Sequence, residues 1–204
     1  MSYKLYYFPG ACSMTVHIVL NEAGQDVELI LAKDANGNKI ADLSKVNPRA
    51  QVPVLMEDGR PLFEGAAQMI YLCDKHNLDL LPKSGWERAQ ALQWLMIGNA
   101  SLHPAYSRTN FLKKNGGTED QIRASRAGAQ AIWDQVEAHL NDSKYLAGDQ
   151  ITLADILFTV IGHWADPGVY SYGPKTNALF KEIIARSAYQ KALQAENVEY
   201  KDAA

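Results

Sequence analysis

Tyr6-Tyr7-Phe8-Pro9-Gly10-Ala11-Cys12-Ser13 joins a short apolar strand to a helix through a Pro-Gly turn. It sets a thiol and a hydroxyl side by side where the helix begins. Backbone N–H groups there have no intrahelical partner and carry the positive end of the helix dipole. A thiolate in that position is stabilised, so its pKa is expected to fall below the free value of ~8.5. The thiolate of a bound small thiol could be held in the same way. A buried cysteine in an ordinary strand-to-helix turn fits the same residues.

Working outward, Lys4-Leu5-Tyr6-Tyr7 reads as a strand and residues 13–23 as a helix closed by Gly24. Residues 27–31 alternate at period two and read as a second strand. A polar stretch follows, with one helical turn near 40–44. Two further strands, 54–57 and 61–64, flank Asp58-Gly59, a hairpin turn signal. After Glu64-Gly65 the chain reads as helix to about His76. This order suits a small mixed sheet covered by helices. The hairpin, and the lack of GxGxxG in the first strand-to-helix turn, argue against a dinucleotide-binding fold. Residues 77–85 form a connector, and beyond it every strong signal is helical. Segments 86–114, 118–140, 152–165, 178–186 and 188–196 carry that pattern. The fold class is therefore α/β followed by all-α, with domains at 1–80 and 87–204.

The 204 residues include 20 basic and 23 acidic side chains, for a net charge of −3 and no basic block. That composition argues against a nucleic-acid partner. No apolar run reaches the ~18 residues of a membrane span, and Met1-Ser2-Tyr3-Lys4-Leu5 has no signal-peptide core. Cys12 and Cys73 fit neither a disulfide framework nor a zinc spacing, and no CxxC pair exists. A reducing cytoplasm is expected. Cys73, in an apolar run, reads as a packed, inert thiol. His17, His76, His139 and His163 show no metal-ligand spacing, so no metal is expected.

Four other places could carry chemistry or mimic it. Gln51-Val52-Pro53 precedes the third strand. A cis Val-Pro bond would expose the Val52 backbone to an extended peptide ligand; a trans proline at a strand edge is the commoner case. Glu64-Gly65 opens a helix after a strand. Glu64 could bind a ligand ammonium, and the helix N-terminus behind Gly65 could receive the carboxylate of the same amino-acid head group. An ordinary acid at a helix start reads the same way. Thr152 and Asp155 have capping-box spacing before an apolar helix, which is a folding device. His103 sits in a helical segment just before Pro104, whose ring should break or kink the helix after the histidine. A lone helical histidine is more often structural or solvated.

Taken in order, Tyr-Tyr-Phe-Pro-Gly-Ala-Cys-Ser at 6–13, Asn-Pro-Arg-Ala-Gln-Val-Pro-Val-Leu at 47–55, Glu-Gly-Ala-Ala at 64–67 and Thr-Leu-Ala-Asp-Ile at 152–156 resemble a glutathione S-transferase, most closely the bacterial beta class. The resemblance implies a thioredoxin-like N-terminal domain, an all-helical C-terminal domain lining an electrophile site, and a cytoplasmic homodimer with glutathione in the interdomain cleft. It implies a cis Pro53, Val52 pairing with the cysteinyl part of glutathione in a binding set that includes Gln51, and Glu64 and Gly65 at the γ-glutamyl end. It puts Cys12 beside the glutathione sulfur with a depressed pKa, keeps Ser13 and Tyr7 as further donors, and matches His103 to an active-site histidine. The expected activity is conjugation of the glutathione thiolate to hydrophobic electrophiles in detoxification. The rivals are a thiol–disulfide oxidoreductase using Cys12 and a non-catalytic glutathione-fold binding protein. Departures from the family pattern are Gly65 for Ser or Asp, Pro104 for Lys, and Met96, Ala100 and Ser101 where polar or acidic residues are usual. They make the helical wall less polar and less charged.

Overall fold

The computed structural model describes residues 2–165 and 168–200. The chain divides into two compact units, one of residues 2–81 with Ile184–Tyr200 and one of Pro82–Ile183. The last helical segment, residues 187–196, falls within the first of these units.

In the first unit, β1 (Tyr3–Tyr7), β2 (Val27–Leu31), β3 (Val54–Glu57) and β4 (Arg60–Leu62) form one sheet in the order β2-β1-β3-β4. β1 is parallel to β2 and antiparallel to β3, and β3 is antiparallel to β4. The β3–β4 hairpin closes as its sequence predicts. Asp58 and Gly59 both adopt positive φ, 47° and 82°, as a turn of type I′ requires. The helices of this unit are α1 (Ser13–Glu22), α2 (Ala41–Val46), α3 (Gly65–Lys75) and α9 (Ser187–Glu196). Every residue of α1 from Ser13 to Leu20 is buried, so this helix has no solvent face over two turns.

The second unit is helical: α4 (Gly85–Ile97), α5 (His103–Lys114), α6 (Glu119–His139), α7 (Leu153–Gly162) and α8 (Pro174–Ile184), the boundary between the units falling before its last residue. All ten residues of α7 are buried, as its all-round apolar composition requires. Its start is the capping box read from sequence. The Asp155 carboxylate accepts from the Thr152 N–H (2.7 Å), the Thr152 hydroxyl (2.9 Å) and the Leu146 N–H (2.9 Å).

The break expected after His103 lies elsewhere. Residues Gly98–Leu102 form a π-helical turn, and α5 starts at His103 and continues through Pro104. Proline lacks an N–H and its ring crowds the carbonyl four residues back. Widening the preceding turn removes that clash without ending the helix. Gly98 adds a second reason for the geometry: a Cβ there would stand 2.9 Å from Leu157 on α7.

Candidate active site

The first strand-to-helix turn leaves β1 at Tyr7 and enters α1 through Gly10, which has a φ of +66° suited to glycine. Ser13 closes the turn. Its side chain is fully buried, and its hydroxyl accepts from the Phe8 N–H and donates to the Phe8 carbonyl, both at 3.2 Å. Its one proton is thus committed inside the turn. Cys12 is the N-cap of α1, and its thiol points to the Val52 carbonyl, with Sγ 3.6 Å from the oxygen.

The depressed pKa expected for Cys12 is corrected by the structure. Burial pushes the thiol up to about 11, and the negative charge of Glu64 adds to the rise. The N–H groups of Cys12 and Ser13 pull the other way but do not prevail. Loss of hydration disfavours a thiolate more than the helix start favours it. The Tyr7 hydroxyl is likewise raised above its ordinary value, by burial and then by the nearby charge of Glu196.

The second motif lies against the first. The Val52-Pro53 bond is cis. Asn47, itself buried, holds the approach to it: its amide donates to the Gln51 carbonyl (2.8 Å), and its side-chain oxygen accepts from the Arg49 N–H (3.1 Å). Gln51 is exposed and Val52 half-buried, while Pro53 is buried at the head of β3.

The third motif is docked on the second. Gln68 of α3 donates to the Pro53 (3.2 Å) and Leu62 (2.7 Å) carbonyls. A Cβ built on Gly65 would lie 3.4 Å from Pro53 Cγ, an ordinary contact. Glu64 takes a positive φ of 64°, unusual for a residue with a side chain. It precedes α3 without any side-chain cap, so the first amides of that helix lack a capping acceptor. Its carboxylate pairs with Arg49 at 2.5 Å. Tyr7, Cys12, Val52, Pro53, Glu64 and Gly65 are thus gathered in one unit.

His103 belongs to the helical unit. Its ring meets Trp164 edge-on at 4.8 Å, and burial lowers its pKa, which keeps the imidazole neutral near pH 7. Tyr106, one turn on, packs against Trp164 (6.0 Å) and Tyr170 (4.6 Å). The Tyr106 hydroxyl receives the Trp133 indole N–H at 3.0 Å and lies 3.1 Å from the Tyr172 hydroxyl. Met96 is exposed, as are Ala100 and Ser101.

Sequence reasoning missed Arg49, this aromatic cluster, and Glu196. Glu196, at the end of α9, is buried and bonds His17 Nδ1 (2.9 Å) and the Gly10 N–H (3.0 Å). His17 and Glu196 are 179 residues apart, and no local pattern links them. Arg49 could have been read, because it stands inside the Asn-Pro-Arg-Ala-Gln-Val-Pro stretch. Among the described residues, no three His, Cys, Asp or Glu side chains gather as a metal site, and no helix is long and apolar enough to cross a membrane.

Residues 1–74 match the family profile of the glutathione S-transferase N-terminal domain, and residues 93–187 that of its C-terminal domain. The chain is 34% identical over 203 residues to glutathione S-transferase GST-4.5 of Xanthomonas campestris pv. campestris, covering 96% of this chain and 99% of that one. It is 33% identical over 212 residues to glutathione S-transferase GstA of Escherichia coli O157:H7, covering 96% and 99%. Among solved structures it resembles the ternary complex of BphK, a bacterial enzyme of this kind, at 35% identity and a TM-score of 0.82, covering 96% of this chain and all of that one. It also resembles a sphingomonad glutathione S-transferase complexed with glutathione, at 27% identity and a TM-score of 0.81, with 96% and 100% covered. The sheet with its helices is the thioredoxin-like N-terminal domain of that fold and the helical unit its C-terminal domain, so the chain belongs to the glutathione S-transferase family.

Proposed function

We propose that this protein binds glutathione on its N-terminal unit, stabilises the glutathione thiolate, and adds it to hydrophobic electrophiles. The observation that carries the reading is the convergence of three separate sequence motifs. Cys12 touches the Val52 carbonyl, Gln68 ties α3 to Pro53, and Arg49 pairs with Glu64. The Val52 backbone would pair with the cysteinyl residue of glutathione as an added strand does. That brings the glutathione sulfur to Cys12 and Tyr7, with Gln51 alongside. Glu64 and the open amides of α3 behind Gly65 would take the γ-glutamyl end.

The raised pKa of Cys12 assigns its role. A thiol that stays protonated at pH 7 donates a hydrogen bond, and a glutathione thiolate is a better acceptor than the Val52 carbonyl it meets in the free protein. Cys12 therefore stabilises the developing nucleophile by electrostatics, with Tyr7 as a second donor. The proton of glutathione leaves to solvent. In the conjugation of an aryl chloride, the thiolate forms the carbon–sulfur bond and chloride departs. The same raised pKa argues against the oxidoreductase reading, which needs a Cys12 thiolate to attack a disulfide. Ser13, committed to Phe8, serves the turn.

His103 and Trp164, half-buried against the buried rings of Tyr106 and Tyr170, give the helical unit an aromatic surface suited to a flat, apolar electrophile. Cys12 and Cys73, neither in a disulfide, fit a reducing cytoplasm, and detoxification is the role such conjugation would serve. The resemblance to the family supports a homodimer as part of this proposal. Trp86, 74% exposed on α4, and Met96 on the same helix are apolar side chains that a partner could cover. Light scattering after gel filtration reads that directly.

The test of the activity is a steady-state assay with glutathione and 1-chloro-2,4-dinitrobenzene, run beside a glutathione-linked disulfide reduction. Conjugation should exceed disulfide reduction. Disulfide reduction without conjugation would overturn the reading.

A further inference from the structure

The Arg49–Glu64 pair is placed with more care than an exposed ion pair needs. Arg49 and Glu64 have side chains 61% and 59% exposed, a setting in which pairing contributes little to stability. Yet both backbones are specially held. Buried Asn47 accepts from the Arg49 N–H and receives the Ala50 N–H on its carbonyl, with Ala50 at a φ of +47°. Glu64 is held at a φ of +64°. Strained backbone at an exposed position points to a ligand rather than to packing. The bond between the pair uses one guanidinium nitrogen and one carboxylate oxygen. Neither side chain has another hydrogen-bond partner among the described residues.

We infer that Arg49 is a further substrate-binding residue, and that it takes the α-carboxylate of the γ-glutamyl end of glutathione while Glu64 takes the α-ammonium. The inference rests on the glutathione reading above and adds a residue to it. A zwitterion with both charges on one carbon matches a fixed pair of opposite charges, each side finding its counter-ion with the existing ion pair left in place. Arg fits because its planar fork can bind Glu64 on one edge and a second carboxylate on another. Gly65 makes the need specific. It has no side chain to offer that carboxylate, and its surroundings would accept a Cβ in ordinary contact. The polar contact absent at 65 is thus supplied from 49.

Calorimetry on the full chain tests this with two probes, glutathione and its analogue 4-aminobutanoyl-cysteinyl-glycine, which lacks only the γ-glutamyl α-carboxylate. Arg49→Gln should weaken glutathione binding about tenfold or more, the scale of a charge-assisted hydrogen bond. It should leave the analogue within about twofold, as expected when the group it would bind is missing. Arg49→Lys should recover part of the loss, keeping the charge without the fork. Equal glutathione affinity in wild type and Arg49→Gln overturns the inference, and so does an equal loss for both probes. Tighter binding by Arg49→Gln also overturns it, because Arg49 would then be a competitor for Glu64. Failure of the wild-type protein to bind glutathione at all overturns the parent reading instead. Thermal melts of both variants should match wild type, since the side chain is exposed.

Discussion

The two strand-to-helix turns of the N-terminal unit have the same local plan and opposite constructions. The first, from β1 into α1, is closed from inside. Ser13 is fully buried on Phe8, and Glu196 reaches from α9 to hold both His17 and the Gly10 amide. The second, from β4 into α3, is open. Its charged pair is more than half exposed, its helix start has no side-chain cap, and Glu64 carries the backbone strain. The first turn spends its polar groups on its own shape and presents a single thiol. The second leaves its polar groups for something else to bind. Stability and binding should therefore separate when the two are mutated.

The largest effect is expected at Glu196. Replacing it by Ala takes the acceptor from the buried His17 imidazole and removes the carboxylate bond to the half-buried Gly10 N–H, which should cost roughly 3 kcal/mol. Denaturant unfolding measures it. A variant as stable as wild type would mean that α9 does not lock the first turn. Ser13→Ala comes next, at about 1–2 kcal/mol, because the half-buried Phe8 N–H and carbonyl each lose the hydroxyl as a partner. It should retain conjugation per folded molecule. A large loss of rate with unchanged unfolding would return Ser13 to the catalytic set.

Glu64→Ala should reverse the pattern. Stability should change by under about 1 kcal/mol, because the pair is exposed, while glutathione binding should weaken by about 1–3 kcal/mol. Calorimetry and melting on one preparation decide it. Loss of stability with full affinity would erase the contrast between the turns.

This contrast also explains what the sequence could reveal. The second turn was legible because its information is local: Glu64-Gly65 lies between a readable hairpin and a readable helix, and the Pro53 motif is a few residues upstream. The Thr152–Asp155 cap was legible for the same reason, three residues apart on a helix whose composition demands burial. Glu196 was not, because its partners are supplied by tertiary packing across almost the whole chain. The π-turn at Gly98–Leu102 was half legible. Pro104 announced a distortion, but its position depends on Leu157 and Phe158, which crowd Gly98 from another helix. Cys12 was found and its chemistry misjudged. The helix start is visible in sequence, whereas the burial that outweighs it is a property of the folded unit.

The smallest effect at neutral pH is expected at Cys12 itself, and it tests the closed turn most directly. Burial lifts the thiol from its ordinary value to about 11. Between pH 6 and 8 the thiolate fraction should stay below about one in a thousand, so iodoacetamide should alkylate Cys12 very slowly. The rate should rise about tenfold per pH unit and level off near pH 11. Peptide mass spectrometry separates Cys12 from Cys73, which is fully buried and donates to the Leu78 carbonyl. Linkage fixes the sign for stability. Folding raises this pKa, so above about pH 9 the unfolded chain releases its proton first and binds fewer protons than the native state. Stability must then fall as pH rises from about 9 towards 11, and Cys12→Ala should flatten that slope. Rapid alkylation at pH 7 would show that the thiol is an activated nucleophile. The first turn would then be open as the second is, and the oxidoreductase reading set aside above would regain its nucleophile.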